Sequence, residues 1–267
     1  MNSLCEVLLG DCRETLKTVP DQSVQVCVTS PPYFGHRDYD HDKQIGLEST
    51  IEGYVEQLVG VGREIWRVLA ADGTFWLNIG DSYSSGQRTT NKNDPATPSV
   101  NTTRAPVLEG VKDKDLLGIP WQVALALRQS GWVLRSDIIW DKVNPSPESV
   151  SDRPVKAHEH IFLFAKQRFY YFDRDAIERR DVWNITVKSF GRSMPRVHFG
   201  VFPEDIPRRA ILAGSRPGDR VLDPFAGTGT TAKVALELGR PSISCELNPD
   251  YVDIIKKRTT TTVGMPI

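Results

Sequence analysis

Apolar and polar positions alternate along this chain with two different periods. Short runs of Val, Ile, Leu and aromatic residues, bounded by Gly, Asp or Pro, predict β-strands. Seven such runs occur, in chain order CEVLLGD, VQVCVTS, GTFWLNIGD, VLRSDIIWDK, HEHIFLFAK, DRVLDPF and PSISCELN. Three longer segments space their apolar residues three and four positions apart, as amphipathic helices do: IEGYVEQLVGVGREIWRVLA, DLLGIPWQVALALRQSG and AGTGTTAKVALELG. This alternation predicts an α/β fold, a parallel or mixed sheet with helices on both faces.

Three stretches show neither period and are predicted to be loops. Residues 84–114 are rich in Ser, Thr, Asn and Pro, residues 144–156 contain three prolines, and residues 173–196 precede the last two strand runs. Loops this long in a compact domain usually serve a function or move. The tail 259–267 is predicted to be unstructured.

Composition narrows the class of protein. The 267 residues suit one large domain or two small ones, and no segment approaches the roughly 18 apolar residues of a membrane span. The first residues lack the pattern of a secretory signal, so we expect a cytoplasmic protein. The four cysteines lack C-x-x-C spacing, which predicts neither a metal site nor a disulfide framework. A net charge of -1 argues against nonspecific coating of nucleic acid.

A glycine segment, DRVLDPFAGTGTTAKVALELG, reads as strand, tight turn and helix. Gly227 and Gly229 would let the backbone approach a ligand at the carboxyl edge of the sheet, and Glu246 ends the next strand, where such folds place an acid for ribose hydroxyls. The run lacks both the third glycine of a dinucleotide site and the G-K-[ST] of a phosphate loop. S-adenosylmethionine, an adenosine cofactor without phosphates, fits best. An ordinary helix-opening turn is the alternative.

A second motif, Ser30-Pro31-Pro32-Tyr33, ends the second strand run. Proline fixes φ and donates no hydrogen bond, so the simplest interpretation is a rigid turn.

The two motifs together resemble those of the amino-methylating DNA methyltransferases of the β arrangement. The resemblance covers nearly the whole chain, from GDCRETLKTVPDQSVQVCVTSPPY through HEHIFLFAK to ELNPDY. In that family a tetrapeptide [DNS]-P-P-[YFW] precedes the glycine motif, a circularly permuted order. The resemblance implies a Rossmann-like, S-adenosylmethionine-dependent methyltransferase fold with a mostly parallel seven-stranded sheet. It also implies one catalytic domain over residues 1–267, with neighbouring chain termini.

The resemblance gives the tetrapeptide a chemical role. The Ser30 hydroxyl and the Pro31 carbonyl would accept the two N–H bonds of an exocyclic base amine, Pro32 would help to hold that carbonyl, and Tyr33 would stack on the flipped base. Methyl transfer would be a direct displacement without a covalent enzyme intermediate. Ser at the first position is usual in cytosine-N4 enzymes and Asp in adenine-N6 enzymes, so cytosine is expected and adenine is the alternative.

The resemblance also assigns cofactor positions. Asp11 would meet the adenine amino group, Glu246 the ribose hydroxyls, and Phe202 and Pro203 the methionine moiety. The remaining positions on the methionine and ribose side are Asp223, Phe225, Gly227 and Gly229. As alternatives, Asp11 would be a helix N-cap and Phe202 a core residue.

Double-stranded DNA is the expected partner. Target recognition in the family lies in the interval matching residues 172–197, and here we expect residues 84–114 and the 36–43 loop to share it. Three basic residues of that interval are candidate phosphate contacts, although solvated loop residues of this kind are common: Lys188, Arg192 and Arg196. The resemblance allows a homodimer and a cognate restriction endonuclease that acts separately.

Other classes explain less of the sequence. A non-catalytic nucleic-acid-binding module of the same fold would not need Ser-Pro-Pro-Tyr at a strand end. A nicotinamide oxidoreductase would need the third glycine. RNA and protein glutamine methylases share an N-P-P-Y theme, from which Ser30 departs.

Overall fold

The computed structural model of the chain describes residues 4–36, 41–84, 108–187 and 202–263, without side-chain detail for the last three. The strands are β1 Cys5–Leu9, β2 Val24–Thr29, β3 Leu69–Ile79, β4 Val133–Lys142, β5 His158–Ala165, β6 Val182–Ile185, β7 Val221–Asp223 and β8 Ser242–Glu246. The helices are α1 Cys12–Thr15, α2 Ile51–Val68, α3 Ile119–Gln129, α4 Asp205–Gly214, α5 Thr230–Glu237 and α6 Pro249–Val263, and a 3-10 turn spans Leu16–Thr18.

The described residues form one eight-stranded sheet in the order β1-β8-β7-β2-β3-β5-β4-β6. Every neighbouring pair in it is parallel except the two pairs that β5 makes, with β3 and with β4. Because β5 runs backwards, its first residues lie at the edge where the other strands end. Glu159 accordingly pairs with Trp140, near the end of β4, and Leu9 pairs with Glu246. One edge of the sheet therefore collects most of the predicted site residues.

Helices cover both faces, as the sequence pattern predicted. The helix α2 buries Leu58, Val61 and Ile65 against one face, in a core that includes Phe75 and Leu77. The opposite face packs against α4 and α5, with Ile206, Ala210, Ile211, Val234 and Ala235 in the same core as Val26, Val28 and Trp76. The α/β fold is confirmed. No helix in the described part of the chain is long and apolar enough to cross a membrane.

The predicted strand count of seven is wrong, because β6 adds an eighth strand inside the predicted loop 173–196. Trp183 and Ile185 are buried while Val182 and Asn184 are exposed, which is the alternation of a half-buried edge strand. The indole of Trp140 donates to the Ile185 carbonyl at 2.9 Å. Four residues hold only two inward positions, too few for a visible period. In residues 143–157 the expected loop is confirmed.

The prediction of an unstructured tail is also wrong for residues 259–263, which continue α6. Threonine is a modest helix former because its β-branch restricts χ1. Here the hydroxyls bond back into the helix: Thr259 donates to the Ile255 carbonyl at 2.9 Å and Thr260 to the Lys256 carbonyl at 2.8 Å. Thr259 is also buried, so packing adds to the stability of this last turn.

Candidate active site

Polar side chains from neighbouring strands meet at the carboxyl edge of the sheet. Ser30 directly follows β2, Asp223 ends β7 and Glu246 ends β8. Asn78 lies near the end of β3, and Glu159 lies near the start of the reversed β5. In open α/β sheets this edge is the usual place for a ligand. The tetrapeptide and the glycine turn, distant in sequence, are therefore neighbours in space.

The tetrapeptide leaves β2 as a turn with one carbonyl engaged and the one before it open. The Tyr54 hydroxyl donates to the Pro32 carbonyl at 2.8 Å. Among the residues with described coordinates, none donates a hydrogen bond to the Pro31 carbonyl. The Ser30 Oγ lies 3.4 Å from the Tyr33 hydroxyl oxygen. Two oxygen acceptors on consecutive residues are thus available to a ligand with two N–H bonds.

The ring of Tyr33 is held from two sides. Its hydroxyl donates to Glu159 Oε2 at 2.5 Å. Gly80 gives the ring room, since a Cβ at that position would lie 2.7 Å from Tyr33 Cε2. Burial and the neighbouring Glu159 carboxylate raise the pKa of the Tyr33 phenol well above its usual value. Tyr33 therefore keeps its proton and acts as the donor toward Glu159.

Glu159 is the centre of a polar cluster that sequence reasoning missed. Its Oε1 accepts from Lys142 Nζ at 2.6 Å, and its Oε2 also accepts from Asn78 Nδ2 at 3.1 Å. The Oδ1 atom of Asn78 is buried and has no hydrogen-bond partner in the described structure. A usable signal was present, because charged residues interrupt the ends of two apolar runs, in IIWDK and in HEHIF. Lys142 and Glu159 come together only because β4 pairs with β5.

Asp223 connects the two motifs. Its carboxylate, only 2% exposed, accepts from the Thr29 hydroxyl at 2.6 Å and from the Phe225 N–H at 3.0 Å. Burial raises the pKa of Asp223 to about 6 in spite of these hydrogen bonds. Because Thr29 directly precedes Ser30, this carboxylate fixes the start of the tetrapeptide relative to the glycine turn.

The glycine turn uses both of its glycines, for different reasons. Gly227 has φ +52° and Gly229 has φ +77°, in the left-handed region that favours glycine. A Cβ on Gly229 would meet the Ile255 side chain of α6 at 2.9 Å, whereas a Cβ on Gly227 would stand in open space. From α6, Arg258 donates to the Thr228 carbonyl at 2.8 Å. The turn opens α5, as the simpler interpretation required, and leaves a cradle at Gly227.

Glu246 adjoins this cradle. Its carboxylate accepts from the Gly227 N–H at 2.7 Å and from the Asn248 N–H at 2.8 Å. Burial raises the pKa of Glu246 to about 7, although these two N–H bonds act in the opposite direction. Each carboxylate oxygen has two lone pairs and uses one for these N–H bonds, so each oxygen of Glu246 can still accept a hydrogen bond from one of the two neighbouring hydroxyls of a ribose. The Glu246 carboxylate can accept hydrogen bonds, and the backbone beside it at Gly227 leaves open space. This pair of features fits the adenosine part of S-adenosylmethionine.

Asp11 is the N-cap of α1, as the simpler interpretation of this residue held. Its carboxylate accepts from the Arg13 N–H at 2.9 Å and from the Arg13 guanidinium at 2.5 Å. Burial would raise the pKa of Asp11, but the bonds to Arg13 outweigh burial and lower it. Arg13 also donates to the Lys43 carbonyl at 2.9 Å, which ties α1 to the segment after the tetrapeptide.

Phe202 and Pro203 lie just ahead of α4, which begins at Asp205. Phe202 is half-buried against the core on the α4 side of the sheet, and Pro203 is buried. The Pro203 carbonyl accepts from the Ile206 N–H at 3.1 Å. Phe202 therefore has a packing role in addition to the predicted cofactor contact, which stays a prediction. The candidate phosphate contacts lie outside the described residues: Lys188, Arg192 and Arg196.

Sequence comparison shows which family the chain belongs to. A family model described as DNA methylase, N6_N4_Mtase, matches residues 24–257. The Type II methyltransferase M.SmaI of Serratia marcescens is 46% identical over 267 residues, covering 95% of this chain and 90% of that protein. The Type II methyltransferase M.Cfr9I of Citrobacter freundii is 46% identical over 260 residues, covering 93% of this chain and 85% of that protein.

Solved structures share the fold. The PvuII DNA methyltransferase, cytosine-N4-specific, superimposes with a TM-score of 0.73 at 23% identity, covering 96% of this chain and 86% of that one. A Thermus thermophilus structure described as a DNA modification methylase, complexed with S-adenosyl-L-methionine, gives a TM-score of 0.69 at 24% identity. That comparison covers 97% of this chain and 94% of the other.

Proposed function

Since the chain belongs to the N6/N4 family of DNA methylases, which use S-adenosylmethionine, we propose that it methylates the exocyclic N4 amine of cytosine in a short sequence of double-stranded DNA. The observation that carries the proposal is the pair of acceptors at the end of β2. Within the described residues the Pro31 carbonyl accepts no hydrogen bond, whereas the Pro32 carbonyl accepts one from the Tyr54 hydroxyl, and Ser30 directly precedes Pro31.

This pair of acceptors suits an amine that needs orientation. The lone pair of an exocyclic base amine is delocalised into the ring, so the nitrogen is a poor nucleophile. Hydrogen bonds from its two N–H groups to Ser30 Oγ and the Pro31 carbonyl would fix the nitrogen so that its electron density faces the methyl donor. Proline keeps the carbonyl in place, and the bond between Asp223 and Thr29 holds the adjacent strand end.

Tyr33 would stack on the target base. An enzyme that acts on a base amine takes the base out of the duplex, and aromatic rings are the usual stacking partners. The Tyr33 ring is preorganised for this task, because Glu159 binds its hydroxyl and Gly80 lies against its edge.

The glycine turn and its neighbours would hold the cofactor. S-adenosylmethionine supplies an electrophilic methyl group bonded to a sulfonium. Glu246 would accept from the ribose hydroxyls, and the backbone at Gly227 would approach the ligand closely, with Phe225 lining the same side. Phe202 and Pro203 would contact the methionine part. Asp11 would meet the adenine amino group after a change in its bonds to Arg13.

We assign the chain to the circularly permuted β arrangement. The tetrapeptide follows β2, the glycine turn follows β7, and β1 lies beside β8. In the β arrangement the tetrapeptide comes before the glycine motif along the chain, and the same order along this chain supports the assignment.

Serine at position 30 favours cytosine over adenine, following the pattern of the family. The relatives are named Type II methyltransferases, and on that basis we propose that the enzyme is one half of a restriction-modification pair, with a separate endonuclease as the other. We propose the cytoplasm as its location. Residues 84–114 and 172–197 would read the target sequence, and a homodimer is the assembly we propose.

The decisive experiment combines the protein, S-adenosylmethionine and unmethylated genomic DNA, followed by nucleoside digestion and mass spectrometry. We expect N4-methylcytosine, and with Ser30→Ala a loss of product of about a hundredfold. N6-methyladenine would overturn the base assignment while leaving the reaction class intact. A folded protein that binds S-adenosylmethionine and methylates no DNA would contradict the proposal and favour the non-catalytic module.

A further inference from the structure

We infer that Glu159 acts through the Tyr33 hydroxyl to set the direction of the Ser30 hydroxyl, so that Ser30 accepts a hydrogen bond from the target amine. The inference rests on the proposed function and adds a positioning residue to it. Glu159 lies on β5, far in sequence from the tetrapeptide, and reaches it through one hydrogen bond.

The inference addresses a problem that serine creates. A carboxylate at this position can only accept hydrogen bonds, whereas a hydroxyl carries one proton and two lone pairs. If that proton pointed at the amine, it would oppose the amine N–H bonds. The Ser30 proton therefore needs another acceptor before Ser30 can serve as one.

Tyr33 is placed to be that acceptor. Its oxygen lies 3.4 Å from Ser30 Oγ, and its own proton is committed to Glu159 Oε2 at 2.5 Å. Lone pairs of the phenol oxygen are thereby left for Ser30. Hydrogen bonds of catalytic groups are often long in the free enzyme and shorten when substrate binds, which suits the 3.4 Å separation.

Glu159 gives the chain of hydrogen bonds a single direction. A carboxylate has no proton to donate, and both of its oxygens already accept, Oε1 from Lys142 at 2.6 Å and Oε2 also from Asn78 at 3.1 Å. The Asn78 amide is itself fixed, because its Nδ2 also donates to the His160 carbonyl at 3.2 Å. The side chains of Glu159 and Lys142 are only 11% and 17% exposed, so water competes little for these bonds.

A double-mutant cycle between Ser30 and Tyr33 tests the inference. Tyr33→Phe removes the hydroxyl and retains the ring that stacks on the base. We expect it to slow single-turnover methylation by about ten- to a hundredfold in the enzyme with Ser30, and by less than about twofold in the Ser30→Ala background. Binding of S-adenosylmethionine should be the same in all four proteins, and single-turnover rates are compared at saturating DNA.

Glu159→Gln supplies a second test. An amide can donate to the Tyr33 oxygen and so reverse the direction of the chain, which should reproduce the loss seen with Tyr33→Phe. Tyr170→Phe is the matched control, because its hydroxyl meets Arg135 at an exposed site. We expect no change in its rate. Thermal melting of each variant identifies any that fail to fold, and if Glu159→Gln does, Glu159→Ala, which removes the acceptor of the Tyr33 proton, takes its place.

Several outcomes would overturn the inference. Equal losses from Tyr33→Phe in both backgrounds would show that the hydroxyl acts independently of Ser30, and no loss in either would remove its role. A wild-type enzyme that yields N6-methyladenine would correct the base while leaving the cycle valid for the adenine amine. A wild-type protein that methylates no DNA would refute the proposed function itself, and this inference with it.

Discussion

At the residue scale, the two buried acids near the cofactor turn have different tasks. The Asp223 carboxylate accepts from the Thr29 hydroxyl and from the Phe225 N–H, so it helps to join the end of β2 to the end of β7. Within the described residues the Glu246 carboxylate accepts from backbone N–H groups, those of Gly227 and Asn248, and retains lone pairs for a ligand. Sequence reasoning assigned both to the cofactor, and the cofactor contact of Asp223 stays a prediction, because the motif shows which residues stand at a strand end and not which donors surround them.

The raised pKa of Glu246 predicts a pH-dependent affinity for S-adenosylmethionine. In the proposed site the ribose hydroxyls would donate to the ionised Glu246 carboxylate, and with a pKa of about 7 the ionised fraction grows as the pH rises through neutrality. Affinity measured by calorimetry should therefore be about tenfold weaker at pH 6 than at pH 8 and level above that.

Glu246→Gln is the control for titration of the ligand itself. An amide cannot ionise, so the variant should bind more weakly and lose the part of the pH dependence that belongs to Glu246. If wild type and variant changed in parallel between pH 6 and pH 8, Glu246 would not be the responsible group.

At the element scale, the glycine turn shows how one short motif serves both packing and binding. Gly229 has α6 behind it, where a side chain would strike Ile255, and Gly227 faces open space. We predict that Gly229→Ala lowers the free energy of unfolding by about 2 to 5 kcal/mol, from strain and overpacking together. Gly227→Ala should lower it by only about 1 to 2 kcal/mol, yet should weaken S-adenosylmethionine binding.

Urea unfolding and calorimetric titration separate these two effects. Gly60→Ala is a suitable control, because Gly60 lies within α2, a Cβ added there would have no neighbouring atom within 4 Å, and alanine favours a helix. If the loss of cofactor affinity in Gly227→Ala and in Gly229→Ala simply followed the loss in the free energy of unfolding, that result would argue against a ligand at Gly227.

The elements that the sequence predicts are those with several inward positions. Seven strands and the helices α2, α3 and α5 are confirmed, because each coincides with an apolar run or a helical period bounded by turn residues, and even the three-residue β7 stands directly before the glycine turn. The pattern misses β6, which has two buried positions, and α6, whose threonines are held by packing and by bonds to earlier carbonyls. Of the site, the tetrapeptide and the glycine turn are visible in sequence, while the Glu159 and Lys142 pair is visible only after β4 and β5 are joined.

At the scale of the whole molecule, a net charge of -1 requires that DNA binding rely on a local basic surface. We predict that replacing Lys188, Arg192 and Arg196 together by Gln weakens DNA binding at all sequences. Each phosphate contact releases counterions, so the slope of log affinity against log salt concentration should become shallower by about 3. Fluorescence anisotropy over a range of salt concentrations measures both quantities.

The matching control neutralises three exposed basic residues on other elements, Lys17, Arg63 and Lys256. This triple variant carries the same net charge as the first. If it changed the slope equally, a general effect of charge would replace the proposed phosphate contacts. S-adenosylmethionine affinity should be the same in both.

The pairing of β1 with β8 also matters for how the protein is made. A ribosome makes β1 long before its partner β8, because Cys5 pairs with Ser242, so β1 must wait for all the intervening chain before the two strands can join. The tetrapeptide is synthesised early, but the turn at Gly227 and the carboxylate of Glu246 come late. A chain that stops before Gly227 would therefore carry the proposed place for the base without the proposed place for the methyl donor, so the two halves of the proposed site are completed far apart in time.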